Sequence, residues 1–542
     1  MTAECSIVRM TRRPTWIQLA LLLVAVLWPA HEAARAKARS GSELPPIVFV
    51  SRALLPDSLR GQVPGLGPHG TFAGAGGRLL ERGSDGRVRE LVPSGRLYDV
   101  ADPAVSDDGT RVAFAAREFA DSPWRIWTVA RSLAVRVGEA PLACATCDDG
   151  ATEDPGDDAD PTWWGDTLIY VSTRGEEQAR SLYDRTPATQ LWVRTADGRR
   201  AAITHEPNGV LDPIADPGRR RLVFSRWWFN PWHPDPAGGV TRAEMATADS
   251  VNLWQVVSAR LVRGVDGKLR LDDMRLAAGG TVPRRGGMGI QPEPIGGGGM
   301  LAVATHNMGL APRPGTIALV RYADAPSAGR RLAGAAIGDE SADPYTEAAN
   351  LRAPAACAPA VLEDGRIVCA LDPGGHGDFG LWLLNDRGER VATLVDSAGA
   401  LELDPALVPT EPREREMPAK PKRDESRDVI SQPGQTPMFR YFNVDVFGSR
   451  GDATRQEGAK LNVYRLDPSG TLMLVTQAPV PRNGRVDLQL PAEAPLFEML
   501  VDADGRALMT SHGAAQVRGF NTGAQAATSR CSGCHLGHST SP

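Results

Sequence analysis

Hydrophobic positions in this chain fall in short runs, each about the length of one strand. Examples are RVAFAAR from Arg111, LIYVSTR from Leu168 and RLVFSRW from Arg221, all rich in β-branched or aromatic residues. Turn-forming residues separate the runs, since the chain contains 57 glycines and 43 prolines. The pattern predicts an all-β protein.

A repeated unit organises residues 100–410. Each copy opens with a polar or small residue and proline, passes a turn and enters a strand; most copies continue into a second strand. The openings stand at Asp102, Asp160, Asp212, Gln291, Ala358 and Asp404. About four short antiparallel strands in each period are typical of a propeller blade. The repeats predict a six-bladed β-propeller over residues 39–409, with a seven-bladed ring as the alternative.

The last copy, at Asp404, stops after one strand. Residues near the N-terminus supply strand-like segments without a partner: PIVFVSR from Pro46, GGRLLER from Gly76 and VRELV from Val88. A ring closed by strands from both ends leaves no sheet edge exposed. We therefore expect residues 46–92 to complete the blade that begins at Asp404.

A change of composition separates the repeats from the C-terminus. Residues 410–435 alternate charge with proline and contain almost no apolar residues, which is typical of a linker. Short alternating strands follow over residues 436–542. They predict a small β-sandwich-like C-terminal domain that ends in a cofactor attachment segment.

That segment reads RCSGCHLGH from Arg530. Two cysteines separated by two residues and followed by histidine form the haem c attachment pattern. The thiols of Cys531 and Cys534 would join the haem vinyl groups, and the imidazole of His535 would be the proximal iron ligand. A structural zinc site would need a second ligand pair, and a plain disulfide would leave His535 unexplained. The motif predicts one covalent haem c.

The iron also has a distal face. His512 and Met509 stand upstream, where a returning loop could bring either to the iron. His538 lies three residues after His535, so on one helical turn both would point the same way. His512 and Met509 are therefore the distal candidates.

Residues 1–38 resemble a secretory signal. Basic residues precede an apolar run from Trp16 to Trp28, and small residues follow it. The run has about thirteen residues, whereas a membrane span needs about 20. We expect a periplasmic protein with no transmembrane span after signal removal, an uncleaved anchor being the alternative. The formal charge of −5 becomes more negative without these residues, so nucleic-acid binding is not expected.

Four further cysteines fall into two local pairs. In an oxidising compartment such pairs are most often disulfides, so we predict Cys144–Cys147 and Cys357–Cys369. Asp148 follows Cys147 where a haem motif needs histidine, which leaves a degenerate haem site as the alternative there. For the second pair, a turn at Asp364-Gly365 would fold the two cysteines together across a hairpin.

An aromatic cluster, residues 227–233, reads WWFNPWH. Aromatic side chains at such density could line a binding face or receive the C-terminal domain. They could also plug one end of the propeller. The sequence leaves the three alternatives open.

The whole arrangement resembles the hydrazine synthase alpha-subunit-related proteins. The similarity is carried by LYDVADPAVSDDGTRVAFAAR from Leu97, LPAEAPLFEMLVDADGRAL from Leu490 and RGFNTGAQAATSRCSGCHLGHS from Arg518. The resemblance implies an exported propeller with a C-terminal haem c, and the roles already given to Cys531, Cys534 and His535. The synthase alpha subunit carries a second, reactive haem, for which this chain has no attachment motif. The resemblance therefore does not bring hydrazine synthesis with it.

Three functional hypotheses follow. The first is a periplasmic monohaem c-type cytochrome-like protein, with the propeller as scaffold, that transfers electrons to a redox partner protein. The second is a haem-dependent oxidoreductase that acts with a partner subunit. The third is a propeller interaction protein with a structural haem.

Overall fold

In the computed structural model the described residues form β-strands joined by turns and loops, and no helix occurs among them. The description covers these residues: 44–55, 74–131, 141–147, 156–175, 180–183, 185–216, 220–243, 252–264, 267–278, 288–295, 299–305, 317–322, 329–334, 354–413, 437–448, 454–467, 469–510, 513–516, 519–523, 525 and 528–531. The predicted signal peptide and residues 414–435 of the predicted linker lie outside the described residues.

Six antiparallel sheets of four strands each make up the described part of residues 46–413. In one of them, β26 (Ala400–Leu407) pairs with β1 (Ile47–Ala53), followed by β2 (Arg78–Arg82) and β3 (Val88–Glu90). The registers Ile47↔Leu407 and Ala53↔Ala400 fix the pairing of β1 with β26 along its full length. Strands from the two ends of this region thus share one sheet.

The other five sheets follow in chain order, and each is built mostly from consecutive strands. The second sheet holds β4 (Asp99–Val105), β5 (Arg111–Arg117), β6 (Arg125–Ala130) and β7 (Leu142–Cys144). The third holds β8 (Asp158–Trp164), β9 (Thr167–Ser172), β10 (Gln190–Arg194) and β11 (Arg200–Ala202). The fourth holds β12 (Val210–Asp216), β13 (Arg221–Phe229), β16 (Asn252–Arg263) and β17 (Leu269–Ala278). Between β13 and β16 lies a two-stranded ribbon, β14 (Trp232–Pro234) with β15 (Val240–Arg242).

The last two of the six repeat the plan. The fifth sheet holds β18 (Met288–Pro294), β19 (Met300–Thr305), β20 (Ile317–Tyr322) and β21 (Gly329–Gly334). The sixth holds β22 (Ala355–Val361), β23 (Ile367–Asp372), β24 (Gly380–Leu384) and β25 (Arg390–Val395). The fold is therefore propeller-like, as the sequence repeats predict.

The second strands β5, β9, β13 and β23 are buried on both faces along all or most of their length. Every residue of β9 is buried, and so is every residue of β23. Continuous apolar runs suit such strands, because no face alternates with solvent. A tight turn joins the third and fourth strands of the sixth sheet, β24 and β25. Gly388 in this turn has φ 85°, and a Cβ there would lie 2.4 Å from the carbonyl oxygen of Leu332 in the fifth sheet. Only glycine fits that turn without displacing the backbone.

The C-terminal region, residues 437–531, contains two three-stranded sheets. One holds β30 (Val486–Pro491), β27 (Met438–Asn443) and β34 (Thr528–Cys531); the other holds β29 (Leu472–Pro479), β28 (Lys460–Leu466) and β31 (Leu496–Val501). A short ribbon, β32 (Met509–Thr510) with β33 (Gly513–Ala514), follows. Phe439 and Leu490 of the first sheet share a hydrophobic cluster with Leu461 and Leu500 of the second, so the two sheets bury a common core.

Residues 46–542 cluster as one compact unit. A larger hydrophobic cluster joins strands of the propeller-like region to Tyr464, Phe497 and Phe520 of the C-terminal region. The two regions are therefore packed together through apolar side chains. Among the residues described, no helix has the length and hydropathy needed to cross a bilayer.

Candidate functional site

The predicted haem segment begins on a strand of the C-terminal region. β34 runs parallel to β27, and the backbone of Cys531 stands opposite Asn443. Asn443 is fully buried, and its Oδ1 accepts a hydrogen bond from the backbone N–H of Asp445 at 3.1 Å. The first cysteine position is thus tied into a sheet. Cys534 and His535 lie outside the described residues.

Of the two distal candidates, Met509 is described. It lies in β32 opposite Ala514 and is 64% exposed. Its thioether is therefore not committed to the hydrophobic core. His512 falls in the connection between β32 and β33, outside the described residues.

Cys144 and Cys147 form the predicted disulfide, with their Cα atoms 5.5 Å apart. Between them, Thr146 accepts a hydrogen bond from the backbone N–H of Ile126 at 3.0 Å, which ties the loop to β6. Because the bridge consumes both thiols, neither is left to bond a haem vinyl group. The pair is a structural disulfide.

The predicted Cys357–Cys369 disulfide is wrong: the structure has both thiols unbridged and buried. The two cysteines lie on paired strands, but Cys357 stands opposite Ala370. A shift of one residue points neighbouring side chains to opposite faces of a strand. Burial raises the pKa of both thiols, that of Cys369 to about 12, so they remain protonated core residues.

The six X-Pro openings converge on one cavity of about 320 Å³. The residue before each proline has a positive φ, between 46° and 53°. In each case the register of the strand pair shifts at this point, as a β-bulge does. The sequence marks these positions as repeat openings; that they meet around one cavity is visible only in the structure.

Side chains at these openings bind the backbone of the next sheet. The backbone N–H of Asp212 donates to Asp160 Oδ2 at 3.0 Å, and that of Gln291 donates to Asp212 Oδ2 at 3.1 Å. The backbone N–H of Ala358 donates to Gln291 Oε1 at 2.8 Å. The same relation links Asp160 to Asp102, and Asp102 to Asp404. One chain of hydrogen bonds therefore runs around the cavity from sheet to sheet.

Four carboxyl groups consequently face one another. Each is half-buried, because one side lines the cavity while protein surrounds the rest. Burial, followed by the neighbouring carboxylates, raises the pKa of Asp160 to about 7. Burial raises the pKa of Asp212 and of Asp404 to about 7 as well, and that of Asp102 well above its usual value. Near neutral pH the group thus holds both protonated and ionised members.

The aromatic cluster, residues 227–233, receives the C-terminal region. Trp227 and Trp228 are each 1% exposed. A Cβ on Gly519 would lie 1.7 Å from Trp228 Nε1, so only glycine fits against that ring. Trp232 meets Phe520 edge-on, with ring centroids 6.0 Å apart. Of the three alternatives, the cluster is a docking surface for the segment that leads to the C-x-x-C-H motif.

A buried polar contact accompanies this docking. Arg226 Nη2 donates to Asn521 Oδ1 at 3.2 Å, and Arg226 also lies 3.5 Å from the carboxylate of Glu206. Both charged side chains are almost fully buried, at 1% and 2% exposure. The pairing explains how a guanidinium is accommodated inside an apolar contact.

No family model matches the sequence, and no curated protein matches it. Among solved structures, the chain is similar to the hydrazine synthase of Kuenenia stuttgartiensis, with a TM-score of 0.62 and 14% identity over 92% of this chain and 70% of that chain. It also matches a thermostable family-43 glycoside hydrolase, with a TM-score of 0.31 and 13% identity over 55% of this chain and 95% of that chain. The relation to the synthase holds at the level of the fold.

Proposed function

We propose that this chain is a periplasmic monohaem c-type cytochrome-like protein, in which a six-bladed propeller scaffold supports a C-terminal haem that transfers electrons to a redox partner. The observation that carries the proposal is the C-x-x-C-H motif, whose first cysteine, Cys531, is the last residue of β34. Two thiols and an adjacent imidazole are the donor set of haem c. A secretory signal over residues 1–38 is consistent with that cofactor, since bacterial cytochromes c are assembled outside the cytoplasm.

The residues fit the group. Cys531 and Cys534 would hold the haem by thioether bonds, and His535 would bind the iron on the proximal side. His512 or Met509 would supply the distal ligand; the 64% exposure of Met509 leaves its sulfur accessible. When bound, the haem supplies one-electron redox chemistry. The protein's part is to fix the motif on a sheet and to keep that sheet against the scaffold.

The scaffold role rests on the packing between the two regions. The six four-stranded sheets are taken as the six blades, with β1 and β26 closing the ring. Trp228 against Gly519, and Trp232 against Phe520, hold the motif-bearing region to this ring. Such a rigid attachment suits electron transfer, because it fixes where the haem is presented to a partner.

A second candidate is a haem-dependent oxidoreductase subunit related to hydrazine synthase alpha. The observation that favours it is the shared fold over 92% of this chain. Against hydrazine synthesis stands the single C-x-x-C-H motif, which leaves a second haem without attachment. An enzyme of this kind would act with a partner subunit and would need an open position on its iron.

Carbon monoxide distinguishes the two candidates. The full chain is produced in a periplasm with haem-maturation enzymes, and absorption spectra are recorded in both oxidation states, with and without carbon monoxide. An unreactive low-spin spectrum supports electron transfer, because both axial positions are then filled. Rapid carbon monoxide binding supports the oxidoreductase.

The matched variants are two double substitutions. Cys531→Ala with Cys534→Ala should abolish covalent haem and leave the β signal in circular dichroism intact. Cys144→Ala with Cys147→Ala, which removes the disulfide of the second sheet and leaves the C-x-x-C-H motif unchanged, should retain one haem. Covalent haem that survives loss of Cys531 and Cys534 would refute both candidates.

A further inference from the structure

A second cavity, of about 610 Å³, lies between the third sheet and the C-terminal region. One wall comes from the propeller-like region and includes Arg180, Arg185 and His205. The facing wall comes from the C-terminal region and includes Arg465 and Asp467, in β28 and the turn after it. A cavity of this size accommodates a small organic molecule.

The acidic side chains in the wall already have partners. Glu206 pairs with Arg226, and Glu493 accepts a hydrogen bond from Arg270 Nε at 2.7 Å. Asp467 is held within its own turn, where it accepts hydrogen bonds from the hydroxyl of Ser469 and the backbone N–H of Thr471. Glu206 and Glu493 are thus neutralised by arginines, whereas Asp467 is held by neutral groups, keeps its negative charge and interacts electrostatically with Arg465.

Of the four arginines that the structure describes in the wall, one is paired with a carboxylate: Arg174 lies 2.7 Å from Asp158. Within the part of the chain that the structure describes, Arg180, Arg185 and Arg465 form no ion pair with a carboxylate. Arg180 donates one hydrogen bond, to the neutral carbonyl oxygen of Arg185 at 3.2 Å. Among the described residues that line the cavity, three arginines without an ion pair therefore stand against one carboxylate that keeps its charge, Asp467, so positive charge is in excess there.

Backbone geometry singles out the same place. Outside the six X-Pro openings, the described non-glycine residues with positive φ are Arg185, Arg220, Asp273 and Glu493. Two of these, Arg185 at 64° and Glu493 at 56°, line this cavity. Residues held in this sparsely populated region tend to cluster at ligand sites, where the surrounding structure maintains them.

Arg185 also spans the cavity. Its Nη1 lies 4.0 Å from where a Cβ on Gly470 would be, so the guanidinium of the propeller-like region reaches the turn after β28. Gly470 has φ 83° and carries no side chain to block that approach. The ends of Arg185 and Arg465 are therefore offered to the same space from opposite walls.

His205 completes the lining. It is exposed, but into this cavity and into an adjoining one of about 240 Å³. The protein around it lowers its pKa, an effect that Glu493 partly opposes. At neutral pH the imidazole is thus uncharged and available as a hydrogen-bond donor or acceptor.

We propose that this cavity binds a small oxyanion-bearing molecule, a carboxylate or a phosphate, through the guanidinium groups of Arg180, Arg185 and Arg465. The planar fork of arginine matches the two oxygens of a carboxylate or phosphate group. The described residues that line the cavity do not belong to the C-x-x-C-H motif, and the binding proposed here needs no haem. It therefore stands or falls independently of the proposed electron-transfer function.

Isothermal titration of the full chain with inorganic phosphate, and separately with succinate, tests the proposal and separates the two oxyanion classes. Saturable binding of either is expected in a low-chloride buffer. Arg185→Gln with Arg465→Gln should weaken it at least about tenfold, the loss expected when a charge-assisted pair is removed. Arg199→Gln is the control, because Arg199 is exposed and paired with Asp197 outside the cavity wall.

Arg185→Lys guards against misfolding of the double variant, since it keeps the charge and loses the fork. Weaker binding in this variant, with an unchanged thermal transition, supports the proposal. No saturable heat with either ligand overturns it, and so does equal weakening by the Arg199 control. Binding seen only after Cys531→Ala with Cys534→Ala also overturns it, since the haem's own propionates would then be the occupants.

Discussion

In the propeller-like region, residues 46–413, one X-Pro bulge is repeated six times around a cavity. In the C-terminal region, residues 437–531, each docking contact with the propeller-like region occurs once: Gly519 against Trp228, and Asn521 on Arg226. The first region distributes its polar network over many equivalent positions, whereas the second relies on a few docking residues. Damage to one opening should therefore be tolerated better than damage to one docking contact.

The largest expected effect comes from Trp228→Ala. The side chain is 1% exposed and packs against Gly519, so its removal leaves a cavity where the two regions meet. We expect a loss of about 3 to 5 kcal/mol in the free energy of unfolding, measured by urea denaturation. Phe119→Ala is the control, because Phe119 is 62% exposed. Equal stability of the Trp228 variant and the control would show that the docking surface contributes little.

A smaller effect is expected from Cys144→Ala with Cys147→Ala. The bridge joins residues three apart and restrains only a short loop of the unfolded chain. Loop-closure entropy then gives a loss of about 2 kcal/mol, measured by urea denaturation under oxidising conditions. The wild-type chain under reducing conditions should match the variant. An unchanged denaturation midpoint in both the variant and the reduced wild-type chain would contradict a stabilising role for this disulfide.

The smallest effect concerns pH. Asp160 and Asp212 have a pKa of about 7 when folded, against about 3.9 in an unfolded chain. The folded state binds more protons between these values, so their contribution to stability is complete below about pH 4 and is lost as the pH rises through about 7. Asp102 and Asp404 face the same cavity, and Arg52 partly opposes the rise in pKa of both.

Asp160→Asn with Asp212→Asn should flatten that pH dependence, because the amide keeps an acceptor oxygen and cannot ionise. The fall in melting temperature between about pH 5 and about pH 8 should shrink by at least about 2 °C. Asp197→Asn, in an exposed turn, is the control. An unchanged slope in the double variant would mean that the carboxyl groups ionise freely.

Some features of this structure can be predicted from local sequence, and others cannot. The X-Pro openings and the hairpin turns are short-range signals, and they were sufficient to predict an all-β, propeller-like fold. The positive φ before each proline is not predictable from local sequence, since it depends on a register shift against the neighbouring strand of the same sheet. The openings at Gln291 and Ala358 also lack the aspartate of the others. The error at Cys357 has the same origin: the sequence predicts a hairpin, but a shift of one residue decides which side chains meet.

The two candidate sites differ in the same respect: the haem motif can be predicted from sequence, and the arginine-lined cavity cannot. Cys531, Cys534 and His535 belong to one short motif, so their chemistry can be predicted without knowledge of the tertiary structure. Arg185 and Arg465 are 280 positions apart and follow no pattern, and only tertiary packing brings them to one cavity. The aromatic density at residues 227–233 was a visible signal, but which of its three interpretations holds depended on where Gly519 and Phe520 come to lie.

The intact mass of the full chain, made in a haem-maturing periplasm, tests the central claim most directly. One haem per chain is expected, together with a haem-peptide that contains both Cys531 and Cys534. A mass without haem would contradict the cytochrome assignment, and a mass with two haems would place a second cofactor where the structure has the Cys144–Cys147 disulfide.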